Sequence, residues 1–184
     1  MDADDTEALG VDAFRASCLP LRRAQAKRKM IELRRIRTDE WEVFKSLRLA
    51  ALEQDGEQFG QSYAEVSLLS DERWQEDTAK AAESDEFYVI LAFDQTRPVG
   101  MSACIRPDDF GKIIMVWVDP QYRGSGIGRL LVEKTMAEAG APSYRLTVVE
   151  GNTPAIRTYE RLGFTPTGFA YRNSKGLREM EMVL

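Results

Sequence analysis

From Met30 onward the chain alternates between short apolar runs and amphipathic stretches. Ile31, Leu33 and Ile36, set among charged residues, predict an outer strand over 31–37. Thr38 follows as a candidate N-cap with Asp39 and Glu40 in the first turn; Trp41, Phe44, Leu47 and Ala51 share a face, predicting a helix over 39–52. The stretch 54–69, which contains Gly56 and Gly60, has no clear period. Ser70 then caps a second helix in which Trp74, Thr78 and Ala81 recur at helical spacing. Three apolar runs, 87–93, 99–105 and 113–118, predict a meander of buried antiparallel strands, with turn chemistry at 94–98. A helix extends from about Gly126 to Ala139 with its apolar residues spread around the wheel, and Gly140 and Pro142 end it. A strand over 144–149 leads to Thr153 and Pro154, N-cap and N1 of a helix on which Ala155, Ile156, Tyr159 and Leu162 share a face up to Gly163. Strands over 165–172 and 177–183 flank a turn containing Asn173, Ser174 and Gly176. This order predicts one α+β (α/β-like) domain over 30–184, with a mixed, mostly antiparallel sheet of about seven strands and about four helices.

The segment between the third run and the long helix has the make-up of a phosphate cradle. The apolar strand ends at Asp119-Pro120, and Gly124, Gly126 and Gly128 open the helix. Glycine lets backbone N–H groups crowd an anion, and a helix start adds its positive dipole end, so the predicted ligand carries phosphates. A Walker A loop is excluded because Gly128 is followed by Arg129 rather than by Lys and Ser or Thr. A dinucleotide fingerprint is excluded because Arg129 stands where its third glycine belongs. Less than a third of the chain follows this turn, too little for the rest of a doubly wound sheet.

Gln121-Tyr-Arg-Gly124-Ser-Gly126, continued as Ile127-Gly128-Arg129-Leu-Leu, resembles the acetyl-coenzyme A signature of the GNAT superfamily of N-acetyltransferases. Asn152, Ala155, Tyr159, Gly163 and Phe164 resemble that superfamily's next motif, and the resemblance extends from Met30 to Leu184. It implies acetyl-CoA as co-substrate and no metal. It also implies that the pyrophosphate is held by Gln121, Arg123, Gly124, Ser125, Gly126, Ile127, Gly128 and Arg129. For Arg123 and Arg129 a solvated position at the helix start is the alternative. The resemblance further implies that the backbone of Val116 and Val118 pairs with the pantetheine arm and that Asn152 binds the same arm beside Ala155. The same resemblance implies that Tyr159 lies beside the coenzyme sulfur as the general acid, a role suited to a phenol that is protonated at neutral pH. Packing on one face of its helix is the other reading of Tyr159.

The general base is unassigned. No carboxylate lies in 112–118, Thr147 stands where the family often has Glu, and Glu150 is the nearest remaining candidate. The amine acceptor, a small molecule or a peptide, is expected against Arg48, Phe59, Gly60, Ser62, Tyr63 and the final strand turn. Phe59 and Tyr63 line a pocket or cap the core, with the core favoured. The missing strand carboxylate keeps open a second class of function, an acyl-CoA-binding sensor without turnover.

Composition narrows the partners. A net charge of −5 without a basic aromatic motif argues against nucleic acid. The absence of histidine removes Ser-His and Cys-His dyads and the commonest metal ligand. Cys18 and Cys104 form no metal-ligand spacing, and Cys104 reads as a core residue. No apolar run reaches membrane-span length, so a cytoplasmic monomer or homodimer is expected. Residues 1–29, acidic first and then basic, lack the order of a signal peptide and are expected to be a flexible extension, with Met30 as the native start.

Overall fold

The computed structural model describes residues 30–107 and 109–184. The expected extension over 1–29 and Cys18 lie outside the described residues. The elements run β1 (Ile31–Arg35), α1 (Trp41–Asp55), a 3-10 turn (Gly56–Gln58), α2 (Tyr63–Ser67), α3 (Asp71–Glu83), β2 (Phe87–Asp94), β3 (Arg97–Ile105) and β4 (Gly111–Val118). A second 3-10 turn (Pro120–Tyr122), α4 (Ile127–Ala139), β5 (Tyr144–Val149), α5 (Thr153–Arg161), β6 (Thr165–Arg172) and β7 (Arg178–Val183) complete the described chain. The seven strands lie in the order β1-β2-β3-β4-β5-β7-β6, and only β4 and β5 are parallel. The predicted meander, the mixed sheet and the α+β class all hold.

Alternate residues of β2 explain why it reads as a continuous apolar run. Val89, Leu91 and Phe93 face a core made with α1 and α3, whereas Ile90 and Ala92 face one made with Ile127 and Leu131 of α4. A strand covered on both faces has no polar side to show. The stripe of α4 was hidden for a related reason: Thr135 occupies one buried position, its hydroxyl donating to the Leu131 carbonyl, while Leu130 is exposed.

Three local expectations are corrected. Glu40, not Thr38, is the N-cap of α1: its carbonyl accepts from the Phe44 N–H at 3.0 Å, while its carboxylate makes no cap hydrogen bond and instead accepts from the Arg37 N–H at 2.9 Å and pairs with Arg34. Asn152, not Thr153, caps α5, its Oδ1 accepting from the Ala155 N–H at 3.2 Å. The aperiodic stretch contains a fifth helix, α2, closed by a reciprocal cap in which Ser62 accepts from the Glu65 N–H and Glu65 accepts from the Ser62 N–H. The Ser-x-x-Glu spacing carries that signal in the sequence.

Candidate active site

The sheet splits where β4 meets β5. The two strands pair only at Gly111–Tyr144 and Lys112–Arg145, after which they diverge. Gly111 permits this closest approach: a Cβ there would lie 2.6 Å from the Tyr144 ring and 3.0 Å from the Cys104 sulfur. Beyond it, β4 carries a bulge in which two steps on β3, Met101 to Ala103, match three on β4, Trp117 to Ile114. Met115 holds the extra residue at φ 54°, a left-handed conformation that costs a non-glycine residue about 1 kcal/mol or more. Past the bulge, the Asp119 N–H donates to Val99 of β3 at 2.9 Å, and Trp117 pairs with Met101. By strand alternation the N–H and C=O groups of Val116 and Val118 therefore point away from β3, into the split. The Val118 carbonyl accepts from Arg123 Nε at 2.9 Å.

The glycine loop lies at the end of β4. Gly124 and Gly126 have φ of 73° and 88°, with open space around each ideal Cβ position, so backbone conformation rather than crowding requires glycine at both. Gly126 is the N-cap of α4 and offers no side chain, so the first N–H groups of the helix face outward. Ser125 donates to the Tyr122 carbonyl, and the Gln121 N–H donates to Asp119 Oδ1 at 2.9 Å, which fixes the approach to the loop. The Ile127 side chain is buried against Ile90 and Leu131, leaving only its backbone for a ligand. Arg123 is ion-paired with Asp55 at the end of α1, a carboxylate that also accepts from Trp117 Nε1 at 2.8 Å; Arg129 pairs with Glu133 on the surface.

A cleft of about 610 Å3 opens from the split toward β6 and β7. Val116, Asn152, Ala155 and Tyr159 line it together. Asn152 Oδ1 accepts in the helix cap, so only its amide NH2 is left to donate. Tyr159 is buried with its ring 6.1 Å from Phe164 in an edge-to-face contact, and burial raises its phenol far above the ordinary value. Tyr159 thus packs on its ring and borders the cleft.

Sequence reasoning missed the carboxylate of this cleft. Glu179 of β7 is only 7% exposed and accepts from the Tyr171 hydroxyl and from Asn173 Nδ2, each at 2.8 Å. Burial, and next to it the Glu179 hydrogen bond, raise the Tyr171 phenol, while a hydrogen bond with Thr147 opposes the shift. Glu150 is exposed, sits outside the cleft and is paired with Arg178 at 3.1 Å.

On the opposite wall Arg48 is 4% exposed, stacked on Phe59 at 4.9 Å and hydrogen-bonded from Nη2 to Gln61 Oε1 at 3.1 Å. Its Nη1 is buried with no partner, and burial pulls the guanidinium down to about 10. Phe59 thus belongs to both cleft and core, whereas Tyr63 is 43% exposed and outside this cleft. The two walls are joined by Lys175, whose ammonium donates to the carbonyls of Gly56, Phe59 and Gln61 at 2.6–2.9 Å, and by Ser174, which donates to Gly60 at 3.2 Å.

Cys104 is buried, and burial lifts its thiol from 9.0 to about 11. For Cys104 and Tyr159 the folded-state value exceeds the unfolded one, so each favours the fold below its ordinary pKa and loses that contribution as pH rises. Thermal unfolding should accordingly show the melting temperature falling from about pH 9 to 11, and Cys104→Ala should flatten the first part of that fall. Among the described residues no group of three His, Cys, Asp or Glu side chains could hold a metal, and no helix is long and apolar enough to cross a membrane.

Residues 32–164, which carry the split, the glycine loop and Tyr159, match the profile of the Acetyltransferase (GNAT) family. This chain belongs to that family. The mycothiol acetyltransferase of Thermomonospora curvata is 42% identical over 64 residues, 33% of this chain and 22% of that protein. This chain thus spans about a fifth of that relative's length. The fold matches the GNAT acetyltransferase of Streptococcus pneumoniae with a TM-score of 0.69 at 21% identity, covering 84% of this chain and 98% of that one. It matches yncA of Salmonella typhimurium, solved with its cofactor acetyl-CoA, with a TM-score of 0.68 at 17% identity, covering 84% and 92%.

Proposed function

We propose that this GNAT protein is an acetyl-CoA-dependent N-acetyltransferase that moves the acetyl group to a primary amine by direct attack in a ternary complex. The observation that carries the reading is the split between β4 and β5, whose free strand edge leads from the glycine loop to Tyr159. Val116 and Val118 would hold the pantetheine arm as an added strand, with Asn152 donating from its amide. The N–H groups from Gly124 to Gly128 at the start of α4 would hold the pyrophosphate, and Arg123, fixed by Asp55, would shape that loop. Acetyl-CoA supplies an activated thioester carbonyl.

The chain's own groups answer the remaining needs of the reaction. Glu179, held by Tyr171 and Asn173, takes a proton from the arriving ammonium and frees the amine lone pair. A backbone N–H of the split strand stabilises the oxyanion that develops on the carbonyl. As the C–N bond forms and the C–S bond breaks, Tyr159 gives its proton to the leaving sulfur and regains one from the bound amine nitrogen. The products are an amide, free coenzyme A and one net proton released to solvent. A carboxylate inside the cleft supports turnover over the sensor that the missing strand carboxylate had kept open.

The test is thiol release from acetyl-CoA over a panel of amines, which should rise above hydrolysis for at least one acceptor; saturable coenzyme binding with no release for any amine would contradict turnover. The glycine loop gives a separate expectation. A Cβ on Gly128 would meet Val118 Cγ2 at 3.7 Å, an ordinary contact. Gly128→Ala should therefore raise stability by roughly 0.5 kcal/mol through helix propensity while weakening acetyl-CoA binding about tenfold by crowding the pyrophosphate. Paired melting and calorimetric titration would read both effects.

A further inference from the structure

Resting on the proposed acetyl transfer, we infer that the acceptor is a small amino-carboxylate whose carboxylate is bound by Arg48 while its amine is delivered to Glu179. Arg48 is a buried cation with no acidic partner among the described residues and one donor atom left unpaired. A guanidinium stays protonated at neutral pH even when burial lowers its pKa, so the charge must be compensated by something. Among the described residues the Arg48 guanidinium has one hydrogen-bond partner, Gln61 Oε1, an amide oxygen on an exposed side chain. A carboxylate oxygen has the same shape and a full charge, and a planar guanidinium receives two such oxygens at once.

The balance of charge in the cleft favours this class over polycations. Arg48, Lys112 and Arg172 line it against the single carboxylate of Glu179. A polyamine or an aminoglycoside would bring several positive charges to a wall that is already basic. The clasp of Lys175 and Ser174 onto the 56–61 loop favours a small acceptor, because a polypeptide would need to pass between the two loops that these hydrogen bonds join.

The experiment compares thiol release with free amino acids, their carboxamides, their decarboxylated amines, spermidine, aminoethylphosphonate and carboxyl-amidated lysine peptides. Turnover of at least one amino acid is expected, with kcat/KM about a hundredfold above its carboxamide. Arg48→Gln should abolish that preference through a raised KM for the amino acid, while the calorimetric affinity for acetyl-CoA, whose site does not include Arg48, is retained; Arg48→Lys should restore part of the preference. If acetyl-CoA does not bind or no amine is acetylated, the proposed function fails and this inference with it. If amines are acetylated but carboxamides, polyamines, the phosphonate or peptides match or exceed every amino acid, the acceptor assignment alone is overturned. An Arg48→Gln protein that folds, binds acetyl-CoA and keeps the preference would also overturn it.

Discussion

Tyr159→Phe is expected to lower kcat by about a hundredfold or more while changing acetyl-CoA affinity by less than about threefold, because a positioned general acid contributes roughly that much to a proton transfer. The substitution is conservative for the fold. The ring that meets Phe164 edge-to-face remains, and only the hydroxyl is lost. Steady-state thiol release beside calorimetric titration separates the two effects. An unchanged kcat would return Tyr159 to a packing role. Burial adds a signature in pH: with the phenol raised far above its ordinary value, the wild-type rate should show no alkaline loss from this residue up to about pH 10.

Glu179→Gln is expected to lower kcat/KM by about a hundredfold at neutral pH. The amide has the size of the carboxylate, can still accept from Asn173 and can donate from its NH2 to the Tyr171 oxygen, but it cannot take a proton. The variant would rely on the small fraction of acceptor that is already a free amine. Its rate should therefore climb about tenfold per pH unit toward the amine pKa, whereas the wild-type rate should rise less steeply. A pH profile parallel to wild type would show that the loss is structural, and an unchanged neutral rate would remove Glu179 from the mechanism.

The half of the candidate site proposed for the coenzyme has local constraints, which is why its residues could be named from the sequence. Gly124 and Gly126 are required by their own positive φ, and Asn152, Ala155 and Tyr159 are brought together by one cap and one helical turn. Of the half proposed for the acceptor, Arg48, Phe59, Gly60 and the final strand turn were expected from the family resemblance, but Glu179 was not legible, because its place in the cleft is set by register. In the sequence Arg178-Glu179-Met180-Glu181-Met182 the alternation suggests two solvent-facing carboxylates. Pairing with Tyr171 on one side and Val149 on the other brings Glu179 into the cleft. Arg48 was expected beside the acceptor through the resemblance alone; on its own helix it reads as a polar position, and its burial depends on Phe59 folding over it from the next loop. The split itself follows from a bulge at Met115, a residue whose type gives no hint of a left-handed conformation. Helix α2, by contrast, carried a readable Ser62-x-x-Glu65 signal in a stretch that hydrophobic period alone left unassigned.

Calorimetric titration of acetyl-CoA into the protein, with ATP and NAD titrated in parallel, tests the central claim most directly. Saturable binding of acetyl-CoA in the micromolar range, with ATP and NAD far weaker, is the result expected if the split strand and the glycine loop hold the pantetheine arm and pyrophosphate together. No binding, or equal binding of all three ligands, would contradict the coenzyme site and every catalytic role built on it.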